Sequence, residues 1–256
     1  TLGSTGRVNQ NTNTFASWNW KANGAGSANT DGSITSTVSA NTTSGFSIVK
    51  YTGTGSSATI GHGLGFAPKV IMVKRTSASD SWTVGHNSIG WGKFLRLDNT
   101  SAEASNTSTW NNTAPTSTVF SVNHDDVNAS GVTFIAYCFA EKTGFSKCNK
   151  YIGNGLTDGT FVYTGFKTAF ALIKLSSATA DWQIFDNKRE GYNDANDALY
   201  PNLTNVEGST ARIQLLSNGF KLIDNNNWGW NKSGETYIYY AVAEEPLVGD
   251  NPATAR

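Results

Sequence analysis

Apolar residues occur along this chain in short runs with a period of two, separated by turns rich in Gly, Asn and Asp. Such alternation predicts β-strands, and turn signals every roughly 8 to 12 residues are typical of a β-sandwich or jelly roll. No segment has a sustained 3.6-residue apolar pattern, so we expect little helix. The clearest predicted strands are residues 46–51, 69–74, 133–139, 160–163, 169–175 and 236–242.

The pattern occurs twice, with an offset of 100 residues between Tyr51-Thr-Gly-Thr-Gly55 and Tyr151-Ile-Gly-Asn-Gly155. Trp82 recurs at the same offset as Trp182. A fixed offset over several matches indicates two copies of one structural unit. Units of about 100 residues are large enough for each to bury its own core.

Each unit ends in a strand that is apolar at nearly every position, 134–139 or 237–242, which is typical of a strand buried on both faces. A third version of this ending lies at residues 8–21, so we interpret the chain as a fragment or processed piece of a longer tandem array. The predicted fold class is all-β, with two tandem β-sandwich repeats of jelly-roll or lectin-like type and an N-terminal remnant of a preceding repeat. The expected divisions are 1–44, the remnant's closing hairpin and a polar linker arm at 22–44; 45–143, the first repeat; 144–247, the second repeat; and 248–256, a flexible tail.

The composition of the chain argues against nucleic acids and membranes as partners. Nineteen basic residues balance nineteen acidic ones, so the chain lacks the basic surface of a nucleic-acid-binding protein. No apolar run is long enough to span a membrane, so membrane insertion is not expected. Two cysteines, Cys138 and Cys148, do not form a disulfide framework, and Cys138 is expected to be a small core residue.

Few residues suggest catalysis or metal binding. The three histidines lack the spacing of metal ligands, and we interpret them as surface residues. The Asp- and Asn-rich segments at 125–128 and 224–226 suit turns better than calcium sites. We therefore predict no catalytic residue, no metal and no cofactor. The histidines are His62, His86 and His124.

Two carboxylates recur at the same place after the closing strands, Glu141 and Glu244. Glycan-cleaving enzymes need only two carboxylates, but they must face each other across a cleft, which the sequence does not show. We expect a structural role for both, with Lys74 and Lys174 as their partners.

The repeat sorts the aromatic residues into two groups. Trp82 and Trp182 hold equivalent positions and are expected to be core residues of their own units. Aromatic residues without an identical partner in the other copy lie near turns, where rings commonly anchor a ligand or a neighbouring protein. The alternative is that these rings fill the ends of the sandwich. The candidate binding residues are Trp91, Trp110, Tyr192, Tyr200 and Trp228.

Several segments resemble a module of tailed-bacteriophage virion proteins that is frequent in marine and cyanobacterial phages. The module is commonly labelled a tail-fibre or structural protein, and the likeness covers nearly all of residues 8–256. It implies a β-sandwich on the virion surface and supplies no catalytic residue. The segments are Gly61-His-Gly-Leu-Gly-Phe-Ala-Pro-Lys-Val-Ile-Met-Val-Lys74, Asp181-Trp-Gln-Ile-Phe-Asp186, Ser217-Asn-Gly-Phe-Lys-Leu222, Ser233-Gly-Glu-Thr-Tyr-Ile-Tyr-Tyr-Ala-Val-Ala-Glu-Glu-Pro246 and Asn251-Pro-Ala-Thr-Ala-Arg256.

The resemblance and the residues together predict a non-enzymatic structural protein of a phage particle, in a tail fibre or surface appendage. The expected partners are other copies of the chain, other virion proteins, and a glycan or protein of the host surface. One alternative is a capsid decoration or cementing protein with a large apolar face. Another is a glycan depolymerase or a carbohydrate-binding module.

Overall fold

The computed structural model describes residues 6–189, 197–208, 211–224 and 229–245. Its strands are antiparallel and its two α-helices have four residues each, which confirms the predicted all-β class. The strands in the first half are β1 (Ser27–Asn29), β2 (Ser36–Asn41), β3 (Phe46–Thr52), β4 (Ala58–Gly61), β5 (Val70–Arg75), β6 (Thr83–His86), β7 (Lys93–Arg96), β8 (Ala104–Ser105), β9 (Val119–Val122) and β10 (Thr133–Phe139). The strands in the second half are β11 (Ser146–Ile152), β12 (Phe161–Tyr163), β13 (Thr168–Leu175), β14 (Trp182–Asp186), β15 (Ile213–Leu216), β16 (Gly219–Leu222) and β17 (Thr236–Ala243). The helices are α1 (Gly6–Asn9) and α2 (Asp125–Asn128), and a 3₁₀ turn covers Asn87–Ile89.

Each half of the chain forms a sandwich of one large and one small sheet. The large sheet of the first unit has the order β1-β2-β3-β10-β5-β6-β7-β8, and its small sheet is β4-β9. The second unit pairs a large sheet, β11-β17-β13-β14, with a small sheet, β12-β16-β15. An apolar core lies between the two sheets of each unit. The predicted strands are all present, with bounds that differ by at most one residue.

The closing strands β10 and β17 are central in their sheets, as their sequences predict, and β17 is buried on both faces, whereas the second face of β10 is half-buried at Ile135 and Tyr137. Alternate residues of β10, such as Phe134, face the core of the first unit, while Phe139 faces the second unit. The same alternation divides β17 between Tyr239 and Tyr240. The large sheets therefore pack face to face around a third core, in which the rings of Phe139 and Tyr240 lie 4.9 Å apart.

Hydrogen bonds repeat between the units. The Tyr51 hydroxyl donates to the carbonyl of Val127 at 2.6 Å, and the Tyr151 hydroxyl donates to the carbonyl of Trp230 at 2.7 Å. Both rings also stack on the first apolar residue of their closing strand. The offset seen in the sequence thus corresponds to a shared pattern of contacts.

Each unit has a buried asparagine that holds a turn: Asn128 holds the turn after β3, and Asn231 holds the turn after β11. Asn128 accepts a hydrogen bond from the backbone N–H of Thr54 at 3.0 Å, and Asn231 accepts one from Asn154 at the same distance. Both asparagines are buried, and each side-chain oxygen accepts the hydrogen bond of a turn N–H that the backbone of the turn does not pair. Asn128 therefore has the turn role that its Asp- and Asn-rich segment predicts.

The N-terminal segments differ from the expectation. Residues 22–44 are not a linker arm, because β2 pairs with β3 and extends the large sheet of the first unit. Ile34 and Val38 supply the buried apolar contacts that its polar composition conceals. Residues 10–26 contain no strand, so the predicted closing hairpin is not formed there. The predicted boundary at 143–144 falls in the turn between β10 and β11, and the tail at 248–256 lies outside the described residues.

Candidate functional site

Two of the predicted binding residues lie inside the first core. Trp91 and Trp110 pack edge to face, with ring centroids 5.6 Å apart, and both are buried. A Cβ atom on Gly85 would lie 2.6 Å from Trp91, so a glycine is needed beneath the two rings. The structure therefore corrects their predicted role in ligand contact and supports the alternative that they fill the end of the sandwich.

The other predicted aromatics belong to the second unit. Tyr200 is half-buried, and its hydroxyl accepts a hydrogen bond from Arg212 at 2.5 Å. It packs against the second core, so only part of its ring faces outward. Tyr192 and Trp228 lie outside the described residues. A binding role for these three residues stays a prediction.

The histidines are not surface residues as a group. His62 and His86 are buried, and only His124 is exposed. In each case Nδ1 accepts a hydrogen bond from the backbone N–H two residues later, which stabilises a turn. Burial lowers the pKa of His62 and lowers that of His86 to about 4, so both rings are neutral at pH 7.

The repeated tryptophans share a backbone position but not an environment. The N–H of Trp82 donates to Asp98 and that of Trp182 donates to Asn202, at 3.0 and 2.9 Å. Trp82 is half-buried, whereas Trp182 lies in the third core and donates from Nε1 to the carbonyl of Arg96 at 2.7 Å. Neither ring is a core residue of its own unit, because the position faces the neighbouring unit.

The lysine partners of the two repeated carboxylates are also different from those expected. Glu141 lies 3.9 Å from Lys147, and Glu244 pairs with Lys167 and Lys188. The expected partner Lys174 instead donates to three backbone carbonyls. Lys74 likewise donates to the backbone carbonyl of Asp80.

The structure gathers a different set of residues into two neighbouring grooves along residues 16–21. Trp18 and Trp20 lie in this segment, and both rings make edge-to-face contacts with Phe170 in β13. Trp20 also donates from Nε1 to the hydroxyl of Tyr240 at 3.3 Å, which fixes the segment on the edge of the third core. The sequence signal is the isolated Trp-Asn-Trp in a polar stretch, which the repeat comparison had assigned to a closing strand.

One groove combines aromatic rings with charged groups, and we call it the polar groove. Its volume is about 360 Å³, which lies in the range of small-ligand sites. The second groove has a volume of about 450 Å³ and is mainly aromatic and apolar. The polar groove is lined by Ala16, Ser17, Trp18, Ala169, Phe170, Asp186, Asn187, Lys188, Arg189 and Glu244.

Asp186 organises the wall of the polar groove at the end of β14. Its carboxylate accepts hydrogen bonds from Trp18 Nε1 at 3.2 Å, from Arg189 Nε at 2.7 Å and from the backbone N–H of Lys188 at 2.9 Å. Burial alone would raise the pKa of Asp186, but the hydrogen bonds from Arg189 and Lys188 outweigh it and the pKa is lowered. The carboxylate is therefore ionised at neutral pH and holds the Trp18 ring in place.

Glu244 forms the opposite charged wall. Its carboxylate lies 2.7 Å from Lys167 Nζ and 3.1 Å from Lys188 Nζ. Lys188 is largely exposed, so its ion pair with Glu244 is open to solvent at the mouth of the groove. The groove thus presents an aromatic surface beside fixed donors and acceptors, an arrangement that suits a polar ligand with one apolar face.

Metal binding and membrane crossing find no support in the described part of the chain. Its His, Cys, Asp and Glu side chains form no group of three or more that could hold a metal ion. None of its helices has the length and hydrophobicity needed to cross a membrane.

A model of the family described as a domain of unknown function (DUF7483) matches residues 1–246. The match covers most of the chain, so the chain belongs to this family. No curated protein and no solved structure matches it.

Proposed function

We propose that this member of the DUF7483 family is a non-enzymatic structural protein of a tailed-bacteriophage particle that adheres to the host surface. Its place is a tail fibre or surface appendage, and its ligand is a surface glycan that binds in the polar groove. The resemblance of its motifs to virion modules supports the location. The rigid pairing of two sandwiches through a third core suits a protein that must hold a binding surface steady.

The observation that carries the adhesive role is the composition of the polar groove. Trp18, supported by the buried ring of Phe170, offers apolar ring surface on which the C–H face of a sugar can stack. Lys188, whose side chain is 75% exposed, offers a donor at the same place for sugar hydroxyls or for an acidic substituent, while Asp186 and Arg189 hold the wall beside Trp18. Binding by a few such groups around an aromatic anchor is typical of specific recognition sites.

The test uses the full chain on an array of bacterial lipopolysaccharides and capsular polysaccharides. Trp18→Ala and Lys188→Ala should each lower affinity for the bound glycan at least about tenfold, since each removes a main contact. Trp82→Ala is the matched control, because this half-buried tryptophan lines neither groove. Binding that is equal for Trp18→Ala and the wild type would overturn the assignment of the groove.

A glycan depolymerase is the second candidate, since Asp186 and Glu244 place two carboxylates in one groove. A glycosidase acid needs a raised pKa, but that of Asp186 is lowered, and Glu244 is held by two lysines. Incubation with the array-positive polysaccharide should therefore release no reducing ends. Release that is abolished by Asp186→Asn or Glu244→Gln would establish the enzyme instead.

A capsid decoration protein is the third candidate, and the second unit has an exposed apolar surface that suits it. An image of the intact particle, with this chain located and its copies counted, separates the two places. Density in a fibre or appendage is expected, and density on the capsid shell would contradict the proposed location.

A further inference from the structure

The second unit exposes four large apolar side chains at one flank, which we call the flank patch: Ile152, Leu156, Phe161 and Tyr163. Their exposed fractions are 59, 59, 46 and 61%. Phe161 and Tyr163 project from the same face of β12, because Val162 between them points into the core. The Thr160 hydroxyl donates to the carbonyl of Ile152 at 2.8 Å, so the end of β11 lies beside the start of β12.

The equivalent strand of the first unit is covered by the chain itself. Ile60 pairs with Phe120 as Val162 pairs with Phe220, so Thr59 holds the position of Phe161. There the N–H of Ile34 donates to the Thr59 carbonyl at 3.0 Å. This outer edge of the small sheet therefore accepts a backbone partner in the first unit.

The residues at these equivalent positions are small in the first unit and large in the second, in agreement with the coverage of the strand in the first unit alone. Ser33 exchanges two hydrogen bonds of 2.9 Å with Thr59, and a Cβ on Gly61 would collide with Asn29. Gly61 holds the position of Tyr163, so the first unit has small residues where its own chain covers the strand. The second unit has large apolar residues at these positions, and their exposure shows that no described residue covers them.

We propose that the flank patch binds a second copy of this chain, patch against patch, around a twofold axis. The outward faces of the two β12 strands then pack on each other, so that Phe161 and Tyr163 of one copy meet the same residues of the other. This interface does not depend on the proposed adhesive function.

The apolar area is sufficient for such an interface. A large aromatic side chain offers about 150–250 Å² of surface. About half of the surface of these four side chains is exposed, which amounts to on the order of 400 Å² per copy. Patches of about 300–600 Å² on a monomer are often functional. Two copies with their flanking backbone would bury about 1,000 Å² in total, the size at which specific interfaces begin.

The charges beside the patch are self-complementary. Lys221 lies opposite Phe161 in the sheet and forms an ion pair with Asp158, whose side chain is 86% exposed. Each copy therefore brings one cation and one anion to the rim, and a twofold axis can set Lys221 of one copy against Asp158 of the other. The chain has no net charge, so two copies do not repel each other overall.

The test measures the mass of the full chain by light scattering after size exclusion, at protein concentrations between about 1 and 100 μM. A dimer with an interface of this size should form within this range. The wild type should move from 27.4 kDa towards twice this mass. Phe161→Thr with Ile152→Thr copies the first unit and should remain monomeric with an unchanged unfolding midpoint. Val206→Ser, which removes another exposed apolar residue, is the control and should dimerise normally.

Charge reversal tests the twofold arrangement. Lys221→Asp alone and Asp158→Lys alone should each weaken the dimer at least about tenfold, since like charges then face each other. An equal mixture of the two variants should dimerise again, because every cross-axis pair is then attractive. A wild-type monomer at every concentration would overturn the proposal, and so would a dimer that the patch substitutions leave intact.

Discussion

His86 Nε2 lies 3.2 Å from the backbone carbonyl oxygen of Tyr239 and donates a hydrogen bond to it across the two units. The other ring nitrogen accepts from the N–H of Ser88 at 3.1 Å, so the neutral imidazole is fully used. Protonation would break the bond at Nδ1 and place a charge beside the third core. A buried histidine therefore connects the stability of the two-unit block to pH.

The free energy of unfolding should decrease as the pH falls from about 6.5 to 4. Burial lowers the pKa of His86 to about 4, while the unfolded chain takes up the proton at about 6.5. The unfolded state thus binds more protons in this window, and the loss reaches on the order of 3 kcal/mol. Urea unfolding at pH 7.5, 6, 5 and 4.5 measures this slope.

The slope should be reduced in His86→Gln, which retains a donor for Tyr239 but does not titrate. The pKa of buried His62 is also lowered, so part of the slope remains. His124→Gln is the comparison variant, since this side chain is 39% exposed and is not part of the third core. Equal slopes for His86→Gln and the wild type would contradict the assignment.

Lys174→Met should destabilise the protein far more than Lys74→Met, although the two lysines hold the same repeat position. Lys174 is fully buried, and its Nζ donates to the carbonyls of Thr100, Leu175 and Ala180 at 3.2, 2.8 and 2.9 Å. Methionine would leave these acceptors without their donor, at a cost of about 3 kcal/mol or more. Lys74 is half-buried and bonds one carbonyl, so its loss should cost about 1 kcal/mol.

Urea midpoints of the two methionine variants decide the prediction. Equal losses would show that the carbonyl cluster around Lys174 is not a main source of stability.

The fold could be predicted where the sequence carries local periodicity and an internal copy. The nearly continuous apolar runs of β10 and β17 indicated central strands, and Tyr51 and Tyr151 marked the repeat, since each copy must rebuild the same contacts. Strand β2, which lies between β1 and β3, was missed because its Ser and Thr residues show no apolar alternation, although Ser36 and Ser39 are buried. Its Val38 enters the core only once β3 is alongside.

The candidate site was much less predictable, because it depends on contacts between distant parts of the chain. Trp18 bonds Asp186 across 168 residues, and the motif that ends at Asp186 does not indicate this contact. Trp91 and Trp110 do lie in turns, as expected, but turn position does not determine which way a ring points. Because Gly85 has no side chain, both rings fit above it and point into the core. This contact depends on the folded structure and is not evident in the sequence.

Trp182→Ala should change how the two units unfold. Trp182 is buried in the third core and bonds the carbonyl of Arg96, so it connects both units, whereas Trp82 holds the same repeat position and is half-buried. Removing a buried tryptophan costs about 3–5 kcal/mol. Because the third core couples the two large sheets, the wild type should unfold in one calorimetric transition, and Trp182→Ala should separate it into two.

Trp82→Ala should keep one transition with a smaller loss in midpoint. Two well-separated transitions in the wild type, or an unchanged profile in Trp182→Ala, would show that each sandwich is stable without the packing between them.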